Sequence, residues 1–371
     1  MQALYHIDET SEIITPALVV FREILEQNIT KMIDISGDAA RLRPHCKTHK
    51  TREVTQLQLD VGITKHKCAT IAEAEMLATT GVKDICLAYN LVGANIERAV
   101  HFIETFRDVH FSVTADHPTH ITLLSKAMHA AGRSIDVLLD IDTGQHRTGV
   151  TVGRAARDLY QLIEDAPGLN PGGLHIYDGH QHQTSRDERA AAIDVEWERI
   201  VTFRDDLLQA GFSVERIVAG GTASFPVYAA KDVPGLELSP GTCVFQDAGY
   251  GERFPDLQFV PAALLLTRVI SRPTADRVTL DLGYKAVASD PPAGQRLRFP
   301  DLPQAEQVLQ NEEHLVLQTP LAAKFQPGDE LLAIPRHICP TTALHRQVYV
   351  VASGKVAALW DVAARDRWLN L

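Results

Sequence analysis

The chain has 371 residues, 45% hydrophobic and 22% charged, enough to bury a large core and divide it between two domains. Its 36 basic and 47 acidic side chains give a net charge of -11, and no Lys/Arg stripe stands out against that balance, so neither nucleic acid nor an anionic membrane is an expected partner. The opening MQALYHIDETSEIITP lacks an apolar leader core, no apolar run approaches the roughly 18 residues of a membrane span, and the five cysteines show no CxxC spacing; a cytoplasmic protein without a disulfide framework is expected.

From about Thr15 to Gly251, short β-branched runs alternate with longer amphipathic stretches. ALVV, KDICLAY, DVHFSV, IDVLLDID, GGLHIY and VERIVAG read as strands. TIAEAEMLATTG between them reads as a helix capped by Thr70, with Glu73 three residues on and Gly81 at its end. Repeated βα units predict a parallel sheet, and roughly eight of them suit a closed (β/α)8 barrel. After about Asp256 the texture changes to short runs such as ALLLTRVI, DRVTLDLG, HLVLQ, DELLAIP and RQVYVVASGKVAAL, which predict an all-β domain. The stretch DPPAGQRLRFPDLP at 290–303 reads as a surface excursion. The expected class is therefore α/β, with a barrel domain over 15–251 and a β domain made of 1–14 plus 252–371.

Six segments carry residues suited to chemistry. In RLRPHCKTHKT (41–51), Arg43, His45, Lys47 and His49 alternate, so an extended strand presents all four on one face; a lysine enclosed there is suited to imine formation. In IDTGQHRTGV, Arg147 lies between Gly144 and Gly149 where a barrel strand ends, placed to bind an oxyanion or stack on a planar ring. IYDGHQHQ offers Tyr177, His180 and His182 after a further strand. Gly220, Gly221 and Thr222 in one turn, with Gly241 and Thr242 in another, follow the last two predicted barrel strands, where phosphate sites are often built. In LLAIPRHICP, His337 and Cys339 are two apart in an extended run, a spacing that suits two ligands of a zinc-like ion with open positions left over.

Together these segments resemble the D-threonine aldolase family, within the fold-type III pyridoxal-phosphate enzymes that include alanine racemase and D-serine dehydratase. RPHCKTHK, ID-G--R-GV, YDGHQHQ, GGT, PGTCVFQD, DLGYKA, NEEH and PRHICPTTALH carry the resemblance over nearly the whole chain. It implies that Lys47 holds pyridoxal 5'-phosphate as a Schiff base, that Arg147 and Tyr177 lie beside the ring, and that Gly220, Gly221, Thr222, Gly241 and Thr242 bind the phosphate. His337 and Cys339 inherit the role of divalent-metal ligands, and His182, or else His180, that of the base. Cysteine at 339 departs from the aspartate of the aldolases, which suits Mn²⁺ or Mg²⁺, and matches the zinc-dependent dehydratases. The leading expectation is a homodimeric lyase cleaving a D-3-hydroxy amino acid to glycine and an aldehyde. The alternatives are a D-serine or D-3-hydroxyaspartate dehydratase, an amino acid racemase and a non-catalytic cofactor carrier.

Overall fold

A computed structural model describes residues 4–371. In chain order its strands are β1 (Ala17–Phe21), β2 (Lys65–Cys68), β3 (Asp84–Asn90), β4 (His110–Ala115), β5 (Ile135–Ile141), β6 (Leu169–Ile176), β7 (Ile217–Ala219), β8 (Leu236–Leu238), β9 (Ala263–Thr274), β10 (Arg277–Leu280), β11 (Leu297–Arg298), β12 (Glu306–Gln310), β13 (Leu315–Gln318), β14 (Glu330–Pro335), β15 (Gln347–Ala352) and β16 (Lys355–Asp361). They divide between two units: residues 32–47, 54–241 and 366–371, and residues up to Lys31 with 48–53 and 242–365.

In the first unit, β2 to β8 pair in sequence order and all in parallel. Leu42–His45 closes the sheet: Arg43 N–H donates to Leu238 O and His45 N–H to Pro240 O, both at 2.8 Å, while Lys67 N–H donates to Pro44 O at 2.9 Å. This segment is the eighth stave, and the barrel expected from the βα alternation is complete. The Ile71–Thr80 helix begins and ends as its sequence predicts. Thr70 Oγ1 accepts from Glu73 N–H at 3.0 Å, and Gly81 ends the helix with φ +106°.

Side chains fill the barrel in layers. Cys86, Leu138 and Val218 form an apolar middle. At the N-terminal ends of the strands, fully buried Arg43 pairs with Glu237 (2.5 Å) and Asp84 (2.8 Å); Lys65 also reaches Glu237 (2.8 Å). His110 bridges Asp84 (3.2 Å) and Asp136 (2.7 Å), and Arg216 joins Asp136 at 3.2 Å. Paired with one another, these charges can occupy a barrel interior that would reject them singly. At the opposite, C-terminal ends stand Lys67, Asp140 and His175.

The second unit is built on a mixed sheet in the order β12-β13-β10-β9-β1-β15-β16, with β14 paired to β9 and β11. ALVV, read from sequence among the barrel strands, is β1 and belongs here: it runs antiparallel to β9 and parallel to β15. All five of its residues are buried, so its continuous apolar run fits either sheet, which is why pattern alone misplaces it. The unit is not purely β, since Ile338–Leu344 is helical. Among the described residues no helix is long and apolar enough to cross a membrane.

Candidate active site

The barrel mouth is where strand ends deliver side chains for chemistry. The extended run expected over 41–51 stops at His45, whose backbone still pairs with Pro240 and Lys67. Cys46–Thr48 is instead a 3-10 turn. Arg43, His45, Lys47 and His49 therefore do not share one face. Arg43 turns into the ion-pair layer described above, and His49, in the second unit, is buried edge-on to Phe245 with its pKa pushed down to about 3 by burial. Lys47 is left at the mouth, its Nζ 5.7 Å from the centre of the Tyr177 ring. The Arg147 guanidinium lies 4.7 Å from the same ring. Tyr177 is thus a common plane for the two cations, delivered by the residue after β6.

The two small-residue turns are tied together. Thr222 Oγ1 accepts from Gly241 N–H at 3.1 Å, and Gly221 N–H donates to Ser224 Oγ at 3.1 Å. A side chain at Gly221 would bring its Cβ within 2.9 Å of the Tyr177 ring; at Gly220, φ is +74° and a Cβ would lie 2.7 Å from Ser224 Oγ. Ser224 Oγ in turn donates to Asp178 Oδ1 at 2.6 Å. Burial raises the Asp178 carboxyl above its ordinary range. This bracing holds Tyr177 against the glycine turn.

In the loop after Tyr177, His180 is half-buried, 3.5 Å from where a Cβ of Gly144 would lie, and its Nδ1 is buried without a partner. His182 is exposed. Deeper in the mouth, His175 Nδ1 is 2.7 Å from Asp140 Oδ1, while its buried Nε2 has no partner. Burial, above all, lowers the pKa of His175, so its uncharged ring presents an acceptor into the mouth. A further cluster, His45, Cys46 and Glu73, has ligand-type atoms within 4.8 Å of one another. Glu73 there already accepts from Ala69 N–H at 2.6 Å, which makes it a helix-start brace.

In the second unit, the expected extended run at 331–340 ends at Pro335. His337 precedes the Ile338–Leu344 helix and Cys339 lies in its first turn. Asp247 causes the bend: its carboxylate accepts from Ile338 N–H (3.0 Å) and Tyr250 N–H (2.8 Å), and burial raises its pKa to about 6. The two side chains still meet, through a hydrogen bond between the His337 ring and Cys339. Asp290 Oδ2 holds His337 Nδ1 at 2.5 Å, the carboxylate brace that orients a metal-binding imidazole. Against burial, which favours the neutral ring, Cys339 and Asp290 raise the His337 pKa to about 9. Thr48 and Thr242 place their hydroxyls 3.2 and 3.5 Å from Cys339 Sγ. A cysteine sulfur and an imidazole held by a carboxylate make a donor pair that fits a divalent ion of the zinc type.

Residues 22–248 match the family described as alanine racemase, N-terminal domain, and 262–351 match the putative serine dehydratase domain. The chain belongs to the alanine racemase N-terminal domain family. It is similar to D-threonine aldolase of Arthrobacter sp, 33% identical over 96% of this chain and 94% of the relative. A second relative is 3-hydroxy-D-aspartate aldolase of Paracoccus denitrificans (strain Pd 1222), 30% identical over 98% and 95%. The crystal structure of D-threonine aldolase from Filomicrobium marinum superposes with a TM-score of 0.88 at 30% identity, covering 95% of each chain.

Within this alanine racemase-type barrel, sequence reasoning missed Lys67, Asp140, His175, Asp178 and Ser224, and in the second unit Thr48, Asp247 and Asp290. Asp140 was within reach, being an acidic residue in the apolar run IDVLLDID. The others have nothing local to mark them. The family's pyridoxal phosphate fits the mouth: an amine faces an aromatic plane, small-residue turns stand beside it, and a buried imidazole nitrogen lacks a partner.

Proposed function

We propose that the protein is a pyridoxal-phosphate- and divalent-metal-dependent lyase that cleaves D-3-hydroxy amino acids to glycine and an aldehyde. The convergence of Lys47 and Arg147 on the Tyr177 ring carries this reading, in a chain aligned with D-threonine aldolase over 96% of its length. Bound pyridoxal phosphate supplies the electron sink for a breaking Cα–Cβ bond. Lys47 would provide the amine that holds the cofactor. Arg147 and Tyr177 fix the plane of the ring, while Gly220, Gly221, Thr222, Gly241 and Thr242 receive its phosphate. His337 and Cys339 hold the ion, with Zn²⁺ better matched to the thiolate than Mn²⁺ or Mg²⁺. A histidine of the 180–182 loop takes the substrate's hydroxyl proton; the position of His180 against the Arg147 loop favours it over exposed His182.

A second reading, dehydration of D-serine or D-3-hydroxyaspartate to a 2-oxo acid and ammonia, is favoured by Cys339 and by the dehydratase match over 262–351. Lys47 then removes the Cα proton. A racemase or a cofactor carrier would be indifferent to chelator, whereas both lyase readings predict its complete inhibition. The proposed assembly is a cytoplasmic homodimer, which a solution mass twice the 40.9 kDa chain would support. Borohydride reduction of the cofactor-loaded protein, followed by peptide mapping, should place the pyridoxyl group on Lys47. Its appearance on another lysine, or on none, overturns the assignment.

A further inference from the structure

Two lysines leave β2 toward the barrel interior. Lys65 ends in the 2.8 Å ion pair with Glu237. Lys67, two residues on, is 2% exposed, and among the described residues its amine has neither a hydrogen bond nor an ion pair. An unmatched buried amine is costly and asks for a partner. The titratable groups facing it are Cys86 from β3, Asp140 from β5, His175 from β6, Lys47, and Arg147 from the loop after β5. Burial, above all, aided by the repulsion of Lys47 and Arg147 and opposed by Cys86 and Asp140, lowers Lys67 to about 7. Its charge is therefore adjustable near neutrality. His175 Nε2, also buried and unmatched, belongs to the same cluster.

Lys67 stands beside the segment that carries the amine assigned to hold the cofactor: its backbone pairs with His45, two residues before Lys47, and its N–H donates to Pro44 O at 2.9 Å. In pyridoxal phosphate the ring hydroxyl is on the carbon next to the one bearing the aldehyde, and the pyridine nitrogen is across the ring. The ring oxygen is thus the acceptor brought nearest to a lysine joined at the aldehyde carbon. We propose that Lys67 is a cofactor-binding residue that donates from inside the barrel to the ring oxygen of pyridoxal phosphate. This inference rests on the assignment of Lys47 above. It explains why one of two neighbouring inward lysines is paired and the other left open.

The test titrates pyridoxal phosphate into the apo forms of wild type, Lys67→Met and Lys67→Gln, reading affinity and the pH midpoint of the bound cofactor's absorbance. Lys67→Met should weaken binding about tenfold and raise the midpoint by about one pH unit, because the cation that favours the deprotonated oxygen is gone. Lys67→Gln, a donor without charge, should recover most of the affinity and keep the shifted midpoint. Wild-type affinity and an unchanged midpoint in a folded Lys67→Met variant overturn the proposal; should that variant fail to fold, an unchanged midpoint in Lys67→Gln does so. Borohydride mapping of the wild type separates the two levels: trapping on Lys47 with unaffected Lys67 variants removes only this inference, whereas trapping elsewhere removes the functional reading as well.

Discussion

Cys339 receives contacts from His337 and from the Thr48 and Thr242 hydroxyls, and His337 is oriented by Asp290. Replacing the soft sulfur by a hard carboxylate in Cys339→Asp should shift the ion that best restores activity after chelation from Zn²⁺ toward Mn²⁺; an unchanged preference would detach Cys339 from the ion. Asp290→Asn removes the charged partner of the imidazole and should weaken metal affinity about 10–100-fold, read by competition with a chromophoric chelator. Lys47, Arg147, Tyr177, His337 and Cys339 were legible as candidates because each sits in a short motif whose order matched a family. Asp290 was not, since the Pro- and Gly-rich run that begins with it reads as surface, and its partner lies 47 residues along the chain. Lys67 was hidden for a different reason: TKHKC looks like a polar edge until the barrel closes around it.

For the elements, local signals worked where they were complete. Thr70, Glu73 and Gly81 marked a helix at both ends, and Thr70→Ala should lower stability to urea by about 1 kcal/mol through loss of the Glu73 N–H bond. A loss near zero would mean that the buried face of the helix alone holds it. The runs KDICLAY, DVHFSV, IDVLLDID and GGLHIY became β3 to β6 because their apolar residues are sandwiched between barrel interior and helices. The short β2 was overlooked: KHKC is too brief and too polar for a period to show. The two extended runs drawn through Lys47 and through His337 failed alike. Alternation in sequence cannot reveal where the backbone coils into a 3-10 turn, as at Cys46–Thr48, or where an aspartate far along the chain bends it.

Across the molecule, the barrel carries charge at both ends and apolar side chains between. Bonds from Asp136, foremost, and Asp84 raise His110 to about 9. Since its folded pKa lies above the unfolded value of about 6.5, its contribution to stability is fully present below that value and is lost as pH rises through about 9. His110 is 43% exposed, so solvent screening keeps the effect small. The stability difference between wild type and His110→Gln should accordingly shrink between pH 6.5 and 9; a constant difference would remove His110 from the ion-pair layer. The C-terminal layer is the one with unmatched groups, and the proposed chemistry belongs there. Its most direct test is to incubate the cofactor-loaded protein with D-threonine and Zn²⁺ or Mn²⁺ and identify the products. Glycine with acetaldehyde is the predicted result, whereas 2-oxobutanoate with ammonia would contradict it and make the protein a dehydratase.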